Sequence, residues 1–145
     1  MASKQMRGGG CLCGAVRFEI AAPEVKFSVC HCRMCRRWSA GPFMAVHCQA
    51  NFTNDAGLTW YRGSKWGERG FCGRCGSSLF WRLANDPTAM LGVSAEAFDD
   101  ADDLRLDRHL YADAKPARYA FADDRPRLTE AQCLAEIGVT PAADA

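Results

Sequence analysis

Cys11-Leu12-Cys13-Gly14 and Cys72-Gly73-Arg74-Cys75-Gly76 stand at the two ends of a 58-residue interval, and how these pairs are used decides how the chain folds. A Cys-x-x-Cys turn, or the tighter Cys-x-Cys, delivers two thiolates to one tetrahedral zinc ion while its backbone N–H groups bond the sulfurs. Gly14, Gly73 and Gly76 supply the left-handed backbone and close approach that such a knuckle demands. Between the pairs lies a third cluster, Cys30-His31-Cys32-Arg33-Met34-Cys35, while Cys48 and Cys133 stand alone. Nine cysteines in 145 residues are several times ordinary usage and need a reason. A disulfide framework fits poorly, because the count is odd and Met1 to Gly10 leads into no apolar export segment. The expectation is a cytoplasmic protein with reduced, metal-binding thiols.

Seven clustered thiols do not fill two closed four-sulfur sites. The natural division is four plus three. Cys11, Cys13, Cys72 and Cys75 would close a structural tetrahedron, and Cys30, Cys32 and Cys35 would hold a second zinc with one position open. A closed site serves folding, whereas three protein ligands leave room for water or substrate, so function is expected at Cys30 to Cys35. The spacing also permits one closed site made from Cys30 or Cys32 with Cys35, Cys72 and Cys75, leaving Cys11 and Cys13 as spectators.

The remaining composition narrows the partners. Lys plus Arg number 18 against 17 Asp plus Glu, a formal charge of +1 that gives no reason to expect a nucleic-acid groove. No apolar run approaches the roughly 18 residues of a membrane span. Hydrophobic content of 48% over this length suits one globular domain with its own core.

Around the thiols the chain reads as mostly β. Val16, Phe18 and Ile20 alternate with Arg17 and Glu19 in a half-buried strand over 14–20, and 43–48 alternates likewise. There Cys48 shares a face with Met44 and Val46 as a small buried hydrophobe, and His47 points outward. Further strands are expected at 58–61, 78–83, 89–93 and 104–111, with a short helix possible over 94–98. Thr129-Glu130-Ala131-Gln132 has the form of a capping box, with Cys133 packing in the first turn and Gly138 ending the helix. Residues 1–7 and 141–145 read as frayed ends. A zinc joining Cys11/Cys13 to Cys72/Cys75 would pin two small antiparallel sheets at an edge, restricting the unfolded chain across the interval.

Gly10-Cys11-Leu12-Cys13-Gly14-Ala15-Val16-Arg17-Phe18, Cys30-His31-Cys32-Arg33-Met34-Cys35-Arg36-Arg37 and Arg69-Gly70-Phe71-Cys72-Gly73-Arg74-Cys75-Gly76-Ser77 resemble, in order and interval, the glutathione-dependent formaldehyde-activating enzyme family. That family also includes centromere protein V. The resemblance spans residues 8–127, leaving 128–145 as a C-terminal helix and tail. His109-Leu110-Tyr111 resembles the family's histidine-plus-aromatic segment, with Tyr119 where relatives often carry tryptophan.

The resemblance implies a zinc-bound β-tent fold of small antiparallel sheets with short peripheral helices. It also implies a structural zinc on Cys11, Cys13, Cys72 and Cys75, and a second, more loosely held zinc on Cys30, Cys32 and Cys35. The implied activity is carbon–sulfur lyase-type chemistry on a glutathione–aldehyde adduct, with S-hydroxymethylglutathione formed from glutathione and formaldehyde. A non-catalytic glutathione- or zinc-binding carrier is the other reading. Glutathione carries two carboxylates, for which Arg36 and Arg37 beside the triad are the expected contacts. His31 and His109 are the candidates for proton transfer: His31 lies in the ligand loop, where its side chain can simply face solvent. His109 is expected on a strand face with Arg105, Asp107 and Tyr111.

Overall fold

Alternating Val16, Phe18 and Ile20, all but inaccessible to solvent, put one face of β2 (Arg17–Ala21) into the main core. In a computed structural model, which describes residues 6–21, 26–86, 88 and 90–138, β2 is the centre of a three-stranded antiparallel sheet. Its neighbours there are β1 (Met6–Gly10) and β5 (Asn51–Asn54). The other strands are β3 (Lys26–Cys30), β4 (Phe43–Cys48), β6 (Leu58–Arg62), β7 (Gly67–Cys72), β8 (Ser78–Leu83), β9 (Leu91–Ser94) and β10 (Arg105–Leu110). They form a seven-stranded sheet in the order β10-β3-β4-β9-β8-β7-β6.

The protein is mainly β with short helices, as expected, and one pairing departs from the antiparallel pattern, since β10 runs parallel to β3. A parallel neighbour requires a long crossover, and here the chain visits six other strands before β10 returns to the edge beside β3. The core lies between the sheets. Phe18 meets Phe80 and Phe98 edge-on at centroid separations of 5.3 and 5.5 Å, an arrangement favoured by the ring quadrupoles. Val46, Leu79 and Val93 complete it, with Cys48 and Trp60 packed at its border. On the opposite face of β4, Phe43 and Ala45 are buried with Cys35 beneath α1 (Arg33–Ser39). This strand is thus covered on both faces, although His47 is exposed as expected.

Two elements broke the sequence rules. β1 reads Met-Arg-Gly-Gly-Gly and shows no alternation, and its first two residues belong to the stretch expected to fray. A Cβ on Gly9 would lie 2.4 Å from the Ala97 carbonyl oxygen and 2.6 Å from the Phe18 ring, so bare backbone is needed for this close approach. Arg7 then grips Asp103 through two hydrogen bonds of 2.8 and 2.6 Å, while Arg17 pairs with Asp99, tying the acidic turn to the smaller sheet. Helix α1 was unexpected because its N-cap is Cys32, whose sulfur accepts the Cys35 N–H at 3.2 Å, outside the usual vocabulary of Ser, Thr, Asp and Asn.

The C-terminal helix α2 (Glu130–Glu136) has both bonds of the capping box at Thr129 and Gln132, and Cys133 is buried against the body. Leu128 donates to the His109 carbonyl and accepts from the Ala112 N–H, so the segment before α2 extends the edge at β10. The 94–98 signal yields one 3-10 turn, Ala95–Ala97. Residue 89, expected to begin a strand, and the 141–145 tail lie outside the described residues.

Candidate metal centres

The first centre is assembled from both sheets. Cys11 follows β1 and Cys13 lies in the turn beyond it; Cys72 ends β7 and Cys75 occupies the β7–β8 turn. Their four sulfurs lie within 4.8 Å of one another. The Cys11–Cys13 and Cys13–Cys72 separations are 3.7 and 3.8 Å, matching the edge of about 3.8 Å in a tetrahedron with ~2.3 Å zinc–sulfur bonds. Gly14 and Gly76 adopt φ values of +86° and +80°, as knuckle turns require. The Val16 N–H donates to Cys11 Sγ at 3.2 Å and the Arg74 N–H to Cys72 Sγ at 3.4 Å, the backbone bonding expected around metal-bound thiolates. Ser77 joins the two turns, its Oγ accepting from the Leu12 N–H at 3.0 Å and lying 3.2 Å from Cys75 Sγ.

Proton demand in this cluster is divided. Hydrogen bonds from the Ser77 hydroxyl and backbone push Cys75 down to about 5. Cys13 accepts a backbone bond from Ala15 that favours its thiolate, yet burial and the neighbouring thiols lift it to about 11. Four adjacent thiolates repel one another without a cation, and the donor set fits zinc.

The second centre sits where β3 meets α1. Cys30 ends the strand, Cys32 caps the helix and Cys35 lies in its first turn, with all three sulfurs within 4.8 Å. Hydrogen bonds from Cys30 and Cys35 push the Cys32 thiol down to about 2. Cys30 rises well above its ordinary value because its thiol donates to Cys32 and Cys35, and burial and their charge disfavour another thiolate. At Cys35 the hydrogen bond with Cys30 favours the thiolate, but Cys32 and burial outweigh it and lift the thiol to about 11.

One residue missed by the sequence reading stands beside this centre. Arg69 of β7 is buried, and its Nη1 donates to Cys35 Sγ at 3.5 Å while its guanidinium carbon lies 5.2 Å from the centroid of the Trp38 ring. Among the described residues no carboxylate lies within ion-pair distance of it. A buried, unpaired guanidinium is costly, and three thiolates holding one Zn²⁺ would carry a net charge of about −1 for it to balance. The donor set again fits zinc, with one coordination position left by the protein.

The arginines expected to meet substrate are placed differently. Arg36 Nε donates to the His31 carbonyl at 3.0 Å and its Nη2 to the Ala114 carbonyl at 3.4 Å, so its guanidinium braces the ligand loop. Arg37 is exposed.

His31 does not face solvent. It is 1% exposed, as is His109, and the two form a buried chain. Tyr119 Oη lies 2.8 Å from His31 Nδ1, His31 Nε2 lies 2.8 Å from His109 Nδ1, and His109 Nε2 lies 3.0 Å from Asp123 Oδ1. An ionised Asp123 fixes every proton: His109 donates to the carboxylate, His31 donates to His109, and Tyr119 donates to His31. Burial, reinforced by His109 and by the charges of Lys115, Arg127 and Arg36, lowers His31 to about 4 and favours this neutral arrangement. The Asp123 carboxyl is held below its ordinary range, its desolvation outweighed by the Arg125 N–H, His109 and Arg127.

The shared strand face expected for His109 is absent. A bulge between Leu106 and Arg108 breaks the period-two pattern, leaving Arg105 exposed and Asp107 half-buried while His109 turns inward. Asp123, 14 residues beyond His109 in an irregular segment, carried no sequence signal, since no periodicity links it to the strand.

Residues 6–114 match the family model described as glutathione-dependent formaldehyde-activating enzyme. An uncharacterised lyase of Schizosaccharomyces pombe is 30% identical over 131 residues, covering 89% of this chain and 95% of that protein. The crystal structure of a Rhodobacter sphaeroides protein superposes with a TM-score of 0.52 at 20% identity, covering 83% of this chain and 99% of that one, a likeness of fold.

Proposed function

The chain belongs to the glutathione-dependent formaldehyde-activating enzyme family, and from that premise we propose that it joins a glutathione-like thiol to an aldehyde, or cleaves the adduct, at Cys30, Cys32 and Cys35. The observation carrying this reading is the three-sulfur cluster with buried Arg69 as its charge partner. Lyase-type chemistry agrees with the name of the yeast relative. Zinc bound there would supply the capacity to keep an incoming thiol ionised near neutral pH.

The protein's own residues set up the step. Cys30, Cys32 and Cys35 would hold that zinc as three thiolates, a ligand set that the protein itself leaves one short of four. Arg69 offsets their excess negative charge, which would otherwise repel another thiolate. Arg36 braces the ligand loop through the His31 carbonyl, and His109, held by Asp123, fixes the His31 ring behind it. His109 therefore acts as a positioning residue. In the addition, substrate sulfur bonds to the aldehyde carbon, the carbonyl π bond breaks, and the alkoxide oxygen takes a proton from water; cleavage reverses these changes. Arg37, exposed on α1, is left as the arginine of the pair free to meet a glutathione carboxylate at the surface.

The test is NMR exchange spectroscopy on zinc-replete protein with glutathione and formaldehyde. Exchange between free glutathione and its hydroxymethyl adduct should exceed that in protein-free buffer. Equal rates with retained glutathione binding would replace catalysis with the carrier reading. Arg69→Met should weaken zinc at the second centre about 10- to 100-fold, the usual effect of losing a partner outside the ligand set. Competition with a chromophoric chelator measures this, and unchanged affinity would remove Arg69 from its charge-balancing role.

We also infer a reducing, cytoplasmic setting. The nine cysteines form no disulfide, in keeping with metal use of the clusters. Among the described residues no helix is long and apolar enough to cross a membrane.

A further inference from the structure

The His31–His109 pair forms part of the wall of a cavity of ≈ 160 Å³, shared with Lys115, Phe121 and Arg127. The extended chain from Cys30 to Cys32 sends successive side chains to opposite sides. The cysteine sulfurs gather on one side, while His31 reaches Tyr119 and His109 on the other. The cavity therefore lies behind the ligand loop, away from the open position that the thiols provide.

Its polar wall is predominantly cationic. Lys115 is half-buried, with Nζ donating to the Pro116 and Tyr119 carbonyl oxygens and lying 5.0 Å from the Tyr119 ring centroid. Among the described residues no carboxylate lies within ion-pair distance of Lys115. Arg127 also faces carbonyl oxygens, those of Phe121, Asp123 and Arg125, and reaches an Asp123 oxygen at 3.5 Å. Two cations against one carboxylate leave one positive charge at the cavity, and Phe121 adds an apolar wall.

We propose that this cavity binds the carboxylate group of a small organic acid, with Lys115 and Arg127 meeting the charge and Phe121, Ala112 and Ala120, which also line it, covering a short carbon chain. A void of about 150 Å³ holds a six-carbon ring, so one carboxylate and a few carbons fit. Whole glutathione does not. The same chemistry has two sources, a free short-chain acid and the terminal carboxylate of a longer thiol. Occupancy touches the ring of His31 and hence the loop carrying Cys30 and Cys32.

Acetate is the probe, titrated into zinc-loaded protein at constant ionic strength while the His31, His109 and Phe121 ring signals are followed by NMR. Saturable shifts are expected for all three rings, with acetamide giving none. Lys115→Gln should weaken acetate at least tenfold, and Arg127→Gln provides a second, more exposed substitution if the first perturbs folding. Non-saturating shifts, equal responses to acetamide, or wild-type affinity in both folded variants would overturn the assignment.

Glutathione and its glycyl ethyl ester separate the sources. Displacement of acetate by glutathione but not by the ester assigns the site to a thiol's carboxylate, whereas acetate binding undisturbed by glutathione assigns it to a free acid. No aldehyde or turnover enters these measurements, so failure of the proposed reaction would leave this assignment intact, and its failure would leave the reaction intact.

Discussion

Cys72→Ser is expected to leave the chain unfolded at 25 °C. Cys72 is fully buried at the end of β7, with its sulfur 3.8 Å from Cys13 Sγ across the junction of the two sheets. Structural zinc contributes on the order of 10–16 kcal/mol to the folding of small metal domains near neutral pH, whereas a whole domain is stable by only about 5–15 kcal/mol. Loss of one of four ligands also exposes three thiolates to mutual repulsion. Circular dichroism and thermal melting of the variant should show no cooperative transition, and slow chelation of the native protein should reproduce that state. A folded Cys72→Ser protein melting within a few degrees of native would show that packing alone holds the sheets and that the first centre is dispensable.

The Cys30→Ser/Cys35→Ser variant should behave in the opposite way. Both positions lie at the junction of β3 and α1, outside the main core around Phe18 and Phe80. Replacing sulfur by oxygen there changes little volume but leaves buried Arg69 without its charge partner, so the variant should melt below the native protein while still unfolding cooperatively. Zinc content should fall from about two ions per chain to one, because a single remaining thiolate does not retain the ion. Acceleration of glutathione–formaldehyde exchange should be lost completely, leaving the rate of protein-free buffer. Retention of two zinc ions would mean that other ligands hold the second metal. Full exchange activity with one zinc would move the chemistry away from this centre.

The contrast between these variants follows from ligand number and position. The first centre joins segments far apart in sequence, so a metal bound there would restrain the unfolded chain over a long loop. Cys30, Cys32 and Cys35 lie within six residues, so a metal closing that loop would restrain the unfolded chain little.

Much of this division was legible in sequence because ligand chemistry is local. Thiol spacing in Cys11/Cys13, Cys72/Cys75 and the 30–35 cluster, with glycines at the turns, depends on backbone reach over a few residues. Apolar alternation in 14–20 and 43–48, and the Thr129–Gln132 capping box, are similarly short-range. The glycine strand β1 escaped because its reason is the backbone of Ala97 and the ring of Phe18. Helix α1 escaped because a cysteine, Cys32, serves as its cap.

Three thiol groups with metal-ligand spacing, and a mainly β chain around them, are written in the sequence. The spacing also allowed a single closed site, and the fold is what brings Cys11 and Cys13 to Cys72 and Cys75 and sets Cys30, Cys32 and Cys35 apart. Tertiary structure alone decided what surrounds the second centre. Arg69 reaches Cys35 from 34 residues away, Asp123 finds His109 across an irregular segment, and a single bulge turns His109 from its expected face into the protein. These are encounters between distant segments, fixed by sheet order and by the cost of leaving a buried charge or imidazole unpartnered, and neither cause has a period or spacing that a linear reading can register.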